Sequence, residues 1–213
     1  RGDTVLPDPD TISTLVKTAV KAYDADRPRS IQAREGVIGP SDLGFCKQKA
    51  LLTLKGVPYS DTRSIWPAVV GTAVGEFVET ALKRMFPSWI VGTVDQIRLP
   101  FKLGNGAVVE GTGDVIVPEW NAVLDIKTKD GTKVVRRTPP SRNYRYQRHA
   151  YLRGAVALGI LDPAWPLYVG NVYLDRSGKD EDPYVQIEEV DPTLDVVFTA
   201  SVDDVIYTHL HNE

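Results

Sequence analysis

The chain has little that would let it build a covalent or soft-ligand centre. Of 213 residues, one is cysteine, one is methionine and three are histidine. A single Cys46 excludes an intramolecular disulfide and cannot by itself ligate a metal cluster. No apolar run approaches the roughly 20 residues that a bilayer crossing needs, so no membrane span is expected. An excess of positive charge is also missing: the net charge is −3, and the chain as a whole is no polycation. The opening Arg1-Gly2-Asp3 reads as neither signal peptide nor initiator and is set aside. A reducing, intracellular setting agrees with the cysteine content. What remains is 42% hydrophobic and 25% charged, the composition of an ordinary globular protein with one sizeable core.

Charge is unevenly spread. From Lys127 to Arg153 there are nine Lys or Arg residues and one acid, Asp130. A charge run is most often a solvated face, but it also suits a track for phosphates.

Periodicity assigns the elements. Ile12, Leu15, Val16, Ala19, Val20 and Tyr23 have helical spacing after Asp10. Residues 27–40, with Pro28, Gly36, Gly39 and Pro40, read as a linker. Ser41 is a candidate N-cap for a helix to about Lys55. A further helix from Ala68 to Met85 or Phe86 has Val70, Val74, Phe77, Val78, Ala81, Leu82 and Met85 on its expected buried side, and Pro87 stops it. Strands follow at Trp89–Leu103, with a break at Gly92, at Ala107–Val117 after the Asn105-Gly106 turn, and at Ala122–Lys129. A helix over 142–158, strands over 167–174 and 184–190, and a helix over 192–210 complete the order. The expected class is α/β, with a mixed central sheet flanked by helices.

The third strand carries the anomaly. Ala122-Val123-Leu124-Asp125-Ile126-Lys127-Thr128-Lys129 is apolar enough to be buried, yet holds an aspartate and a lysine two residues apart. Strand alternation puts Asp125 and Lys127 on one face. If Asp114, on the preceding strand, pairs near Asp125, two carboxylates and an ammonium converge. Two such carboxylates repel unless a cation lies between them, and a hard divalent cation, Mg²⁺ or Mn²⁺, is the natural occupant. The Ile126 carbonyl offers another oxygen. A buried salt bridge is the bland alternative, at a desolvation cost that makes it a poor stabiliser. Glu76 and Glu79 share a face of the preceding helix, and either supplies a third carboxylate. Gln147 and Tyr151 are neighbours on the helix inside the basic tract.

Asp114, Asp125-Ile126-Lys127 and Gln147 to Tyr151, in this order, resemble the motif set of the PD-(D/E)XK nuclease superfamily, most closely its RecB-like and Cas4-like exonuclease branch. Gly111-Thr112-Gly113-Asp114 matches Gly-x-x-Asp, and Ser41 to Cys46 is similar to the Ser-x-x-x-x-Cys segment of Cas4-like proteins. The resemblance covers roughly residues 38–190. It implies a restriction-endonuclease-like core over 41–213 behind an N-terminal helix and linker over 1–40. It implies metal-dependent hydrolysis of DNA, single-stranded or at duplex ends, in recombination or repair. A phage or mobile-element origin suits so compact a version. Asp114, Asp125, Ile126 and Glu76 would hold the metal, and Lys127 would position water and offset charge on the phosphate. Gln147 and Tyr151 would brace the helix or touch the substrate backbone; Arg142, Arg145 and Arg148 would grip phosphates. Trp66, Trp89 and Tyr144 are candidates for stacking on bases, with core packing as the alternative. Gly75 stands where the branch usually has a histidine, and Glu76 is the substitute taken from relatives that use glutamate. With one cysteine, no iron–sulfur cluster is expected. A structure-specific endonuclease and a non-catalytic nucleic-acid-binding module are the competing readings, and the basic helix is also a surface for a protein partner such as an annealing protein.

Overall fold

A computed structural model describes residues 9–25, 35, 37–42, 47–57, 64–102, 108–179 and 182–190. Arg1 to Asp3, most of the linker, Leu43 to Cys46, the Asn105-Gly106 turn and the helix expected over 192–210 lie outside them. Helix α1 is Pro9–Ala25, α2 Lys47–Leu54, α3 Trp66–Met85 and α4 Arg142–Ala157. Seven strands are β1 Ile90–Val91, β2 Leu99–Lys102, β3 Val108–Gly111, β4 Val115–Val117, β5 Ala122–Lys129, β6 Tyr168–Asp175 and β7 Tyr184–Glu189.

The main sheet has five strands in the order β1-β4-β5-β6-β7, and β2 and β3 form a separate two-stranded sheet. Among the described residues only β5 and β6 run parallel. The connection between them is α4, as a parallel crossover requires. The sheet is mixed, as the sequence predicts. Its two faces are read by alternation along β5. Val123 points into a cluster with Ile116, Val169 and the α4 residues Tyr151, Leu152 and Ala155. Leu124 and Ile126 point the opposite way, against Trp89, Val115 and Val117, with Val78 and Leu82 of α3 packed on them. A third cluster joins Ile38, Phe101, Val109 and Ala150.

Three expectations need correction. The strand read as continuous from 107 to 117 is two strands, broken at Thr112-Gly113-Asp114. At that break the chain passes close to Gly92, where an added Cβ would stand 2.4 Å from the Gly113 carbonyl oxygen. Only glycine permits that approach. The strand expected from Trp89 breaks at Gly92, as read from the sequence, but the break is a helical turn, Gly92–Asp95, and the second half pairs in a different sheet. The segment after Ser41 begins as a 3-10 turn, Pro40–Asp42, with the Gly39 amide donating to Asp42 Oδ2 at 3.0 Å, and α2 starts at Lys47.

Helix α3 also turns a partly different face inward. Val70, Phe77 and Met85, expected to be buried, are exposed at 40%, 76% and 74%. Val78 and Leu82 pack on the sheet as expected, and the rest of the inward side is Gly71 and Gly75, with Glu79 beside them. A Cβ on Gly71 would meet Thr128 Oγ1 of β5 at 3.1 Å. The helix comes close to the sheet at this glycine, a contact that hydrophobic counting does not register. Among the described residues, no helix is long and apolar enough to cross a membrane.

Candidate active site

The break before β4 places Asp114. Val115 is the register partner of Leu124, so continuing the ladder by one residue sets Asp114 opposite Asp125. The backbone leaves the ladder there, and the side chain takes over the acceptor role: the Ile126 amide donates to Asp114 Oδ2 at 2.6 Å. In an antiparallel ladder a residue's N–H and C=O face the same neighbouring strand. The Ile126 carbonyl is thereby aimed at the same edge, past the last paired residue of β4.

Asp125 is fully buried. Lys127 Nζ lies 2.7 Å from its Oδ2, and the Asn171 amide donates to the same oxygen at 3.0 Å. Oδ1 is buried with no hydrogen-bond donor. The neighbouring group is the Asp114 carboxyl, whose charge and that of Asp125 act on one another. Burial and then the Asp125 charge push the Asp114 carboxyl well above its usual range, against the opposing pull of Lys127 and the Ile126 amide. Burial also raises Asp125, with Lys127 opposing. Burial would lower Lys127, but the charges of Asp125 and Asp114 outweigh it and hold the ammonium above its ordinary value. Two carboxylates buried beside one another each make the other harder to ionise.

Glu79, and not Glu76, is the glutamate turned to this cluster. Glu79 is 6% exposed, whereas Glu76 lies on the exposed side of α3. Glu79 Oε2 accepts from the Thr93 amide at 3.0 Å. Its carboxyl is raised by burial and, more weakly, by the charges of Glu76 and Asp125. Since Glu79 also acts on Asp114, the acids of α3, β4 and β5 sense one another. We expect Glu79→Gln to cut Mn²⁺ affinity 10- to 100-fold. Glu76→Gln is expected to leave it within threefold, and parallel calorimetry on the two variants separates them.

Helix α4 closes the site. Lys127 Nζ donates to Gln147 Oε1 at 3.1 Å, and Gln147 Nε2 donates to Tyr151 OH at 3.2 Å. Gln147 and Tyr151 therefore brace the ammonium. Tyr144, one turn earlier, lies under both cations of β5: Lys127 Nζ and Lys129 Nζ are each 5.0 Å from its ring centroid, and Lys129 donates to its hydroxyl at 2.9 Å. Trp89 is in the core, stacked on Phe86 at 4.3 Å, while Trp66 is 39% exposed.

The basic tract divides. Arg142 is exposed on the first turn of α4 and crosses the ring of Tyr146 at 5.0 Å, and Arg145 is partly exposed. Arg148, expected among the phosphate-gripping arginines, is fully buried and bonded to Asn171 and Glu188. It cannot meet a phosphate on the surface. His149 is pushed down to about 4 by burial and by Arg148 and Arg145, so it is neutral at pH 7.

A divalent cation suits this donor set. Among the described residues no three His, Cys, Asp or Glu side chains already form a cage of ligands. Mg²⁺ does not need one: it commonly takes one or two carboxylates and completes its shell with water and substrate phosphate. Here two carboxylates meet, one buried oxygen lacks a donor, and a main-chain carbonyl faces the same edge.

A mixed five-stranded sheet with helices on both faces is an α/β fold. Solved structures share it. The alkaline exonuclease of Laribacter hongkongensis superposes with a TM-score of 0.56 at 13% identity, covering 84% of this chain and 91% of its own. Its complex with dAMP gives 0.57 at 14%, over the same shares. The structure named SSO0001 gives 0.52 at 18%, over 92% of this chain and 86% of its own. At these identities the likeness is one of fold. No family model and no curated protein sequence matches the chain.

Proposed function

We propose that this chain is a metal-dependent deoxyribonuclease of the RecB-like and Cas4-like kind, an exonuclease acting on DNA in recombination or repair. The observation that carries the reading is the Asp125 carboxylate: buried, held by Lys127 through Oδ2, and left without a donor on Oδ1 beside a second carboxyl. A salt bridge built for stability has no use for the second acid. Asp114, Asp125 and the Ile126 carbonyl hold Mg²⁺ or Mn²⁺, with Glu79 as the further acid. The cation, when bound, supplies Lewis-acid polarisation of a phosphoryl oxygen and lowers the pKa of water.

The protein's own groups do the rest. Lys127, charged at neutral pH, offsets the charge that grows on the phosphate oxygens. Gln147 and Tyr151 keep its ammonium in place. The cations outside the pocket, Lys129, Arg142 and Arg145, approach a DNA backbone and contribute affinity with no readout of bases. Replacing Arg142 and Arg145 together by Ala is expected to weaken DNA binding uniformly across sequences. The slope of log affinity against log salt should fall by about two, as read by fluorescence anisotropy.

The experiment is direct. Purified protein with Mn²⁺ is given linear duplex, single-stranded and covalently closed DNA. Shortening of the linear substrates with the closed circle left intact supports an exonuclease. Cutting of the circle moves the assignment to an endonuclease, and no attack on any substrate rejects the nuclease reading.

A further inference from the structure

A buried polar chain runs from β7 to the site, and the chemistry described so far does not use it. Asn171 is the register partner of Asp125 on the parallel neighbour β6, and it is fully buried. Its Nδ2 donates to Asp125 Oδ2 at 3.0 Å, and its Oδ1 accepts from Arg148 NH1 at 2.8 Å. Arg148 is equally buried, and its NH2 pairs with Glu188 on β7. Arginine has donors only. The amide must therefore present its oxygen to Arg148 and its nitrogen to Asp125.

Burying a guanidinium and an amide here is costly, and the arginine's Nε finds no partner. The consequence lies at Asp125: Oδ2 takes donors from two sides, and Oδ1 takes none. We infer that Asn171, clamped by Arg148 and Glu188, is a positioning residue that fixes the Asp125 carboxylate with Oδ1 directed at the cation position. This rests on the nuclease reading above. Lys127 does not suffice for it. Its ammonium ends a flexible four-carbon stem and is also engaged by Gln147, whereas Asn171 has two torsions and both of its ends are tied. Outer residues that orient a ligand carboxylate are as much part of a metal site as the ligands.

The test uses the full chain and Asn171→Leu, which keeps the volume and removes the amide, beside wild type, Asp125→Asn, Arg148→Met and the double variant. Two readouts are needed: a metal-free crystal structure and Mn²⁺ calorimetry. We expect Asn171→Leu to melt cooperatively, to rotate the Asp125 carboxylate or split it over two orientations, and to weaken Mn²⁺ binding 10- to 100-fold. Arg148→Met should act less strongly, and the double variant should match Asn171→Leu. An Asp125 orientation unchanged in Asn171→Leu, with Mn²⁺ affinity within twofold of wild type, overturns the inference. So do fold-losses that multiply in the double variant. Should wild type bind no Mn²⁺, the nuclease reading fails, while the metal-free structures still judge the role of Asn171. If Asn171→Leu does not fold, Glu188→Gln serves, at the half-exposed end of the chain. It should loosen Arg148 and weaken Mn²⁺ about threefold by the same outer-shell effect; unaltered affinity there overturns the inference.

Discussion

Asp114→Asn is expected to abolish metal-dependent DNA cleavage, by 10³-fold or more, while leaving the metal-free protein at least as stable as wild type. The variant resembles protonated Asp114. Its amide oxygen can still accept from the Ile126 amide, and its NH2 can donate to the neighbouring Asp125 carboxylate. What disappears is a carboxylate that is costly to ionise in that place. The sign follows from the raised Asp114 value. Between the ordinary carboxyl range and that raised value the folded protein holds a proton that the unfolded chain has lost. Stability is therefore full below the ordinary range and falls as pH rises through the window. Asparagine removes this slope. At neutral pH the gain is on the order of 1 kcal/mol, the common size of a stability gain taken at the expense of function. Thermal melts of the two proteins across acid to neutral pH should diverge as pH rises, with wild type the lower.

Lys127→Met is the second large effect. The ammonium is within reach of Asp125 and Gln147 and is held above its ordinary pKa by the two aspartates, so it carries full charge at any pH near neutrality. Removing it is expected to lower kcat about 10³-fold with little change in KM for DNA, because the outer cations that hold the backbone remain. Mn²⁺ binding should persist and strengthen slightly, since a competing positive charge is gone. Lys127→Arg is not expected to recover more than a few per cent of wild-type activity. The planar fork cannot occupy the point position that Asp125, Gln147 and the Tyr144 ring define together. Single-turnover cleavage with saturating Mn²⁺ reads both variants.

Much of this site is visible in the sequence because it breaks a local rule. Asp125 and Lys127 interrupt an apolar strand, and alternation alone puts them on one face with Asp114, where the structure brings them together. The same logic reaches Asn171, a lone amide in the apolar run Tyr168-Val169-Gly170-Asn171-Val172-Tyr173, although no motif points to it. Burial of particular arginines is not legible that way. Composition cannot separate Arg148, which is interior, from Arg142 and Arg145 in the same helix, because the difference depends on which face of α4 meets β6. The choice between Glu76 and Glu79 fails for a related reason. It depends on the rotation of α3, which comes close to β5 at Gly71, against Thr128. The split between β3 and β4 is hidden in the same manner. Thr112 and Gly113 read as strand until Gly92 is known to lie against them. The segments outside the described residues, including Cys46, His209 and His211, bear on none of these conclusions.

The most direct measurement is the anomalous scattering of Mn²⁺ in a crystal of the protein soaked with a short oligonucleotide. A peak in reach of both Asp114 and Asp125, on the sheet face that carries Lys127, with a phosphate oxygen beside it, is the result this account predicts. Manganese bound elsewhere, or a direct Asp114–Asp125 contact that persists unaltered at saturating Mn²⁺ and DNA, would contradict it.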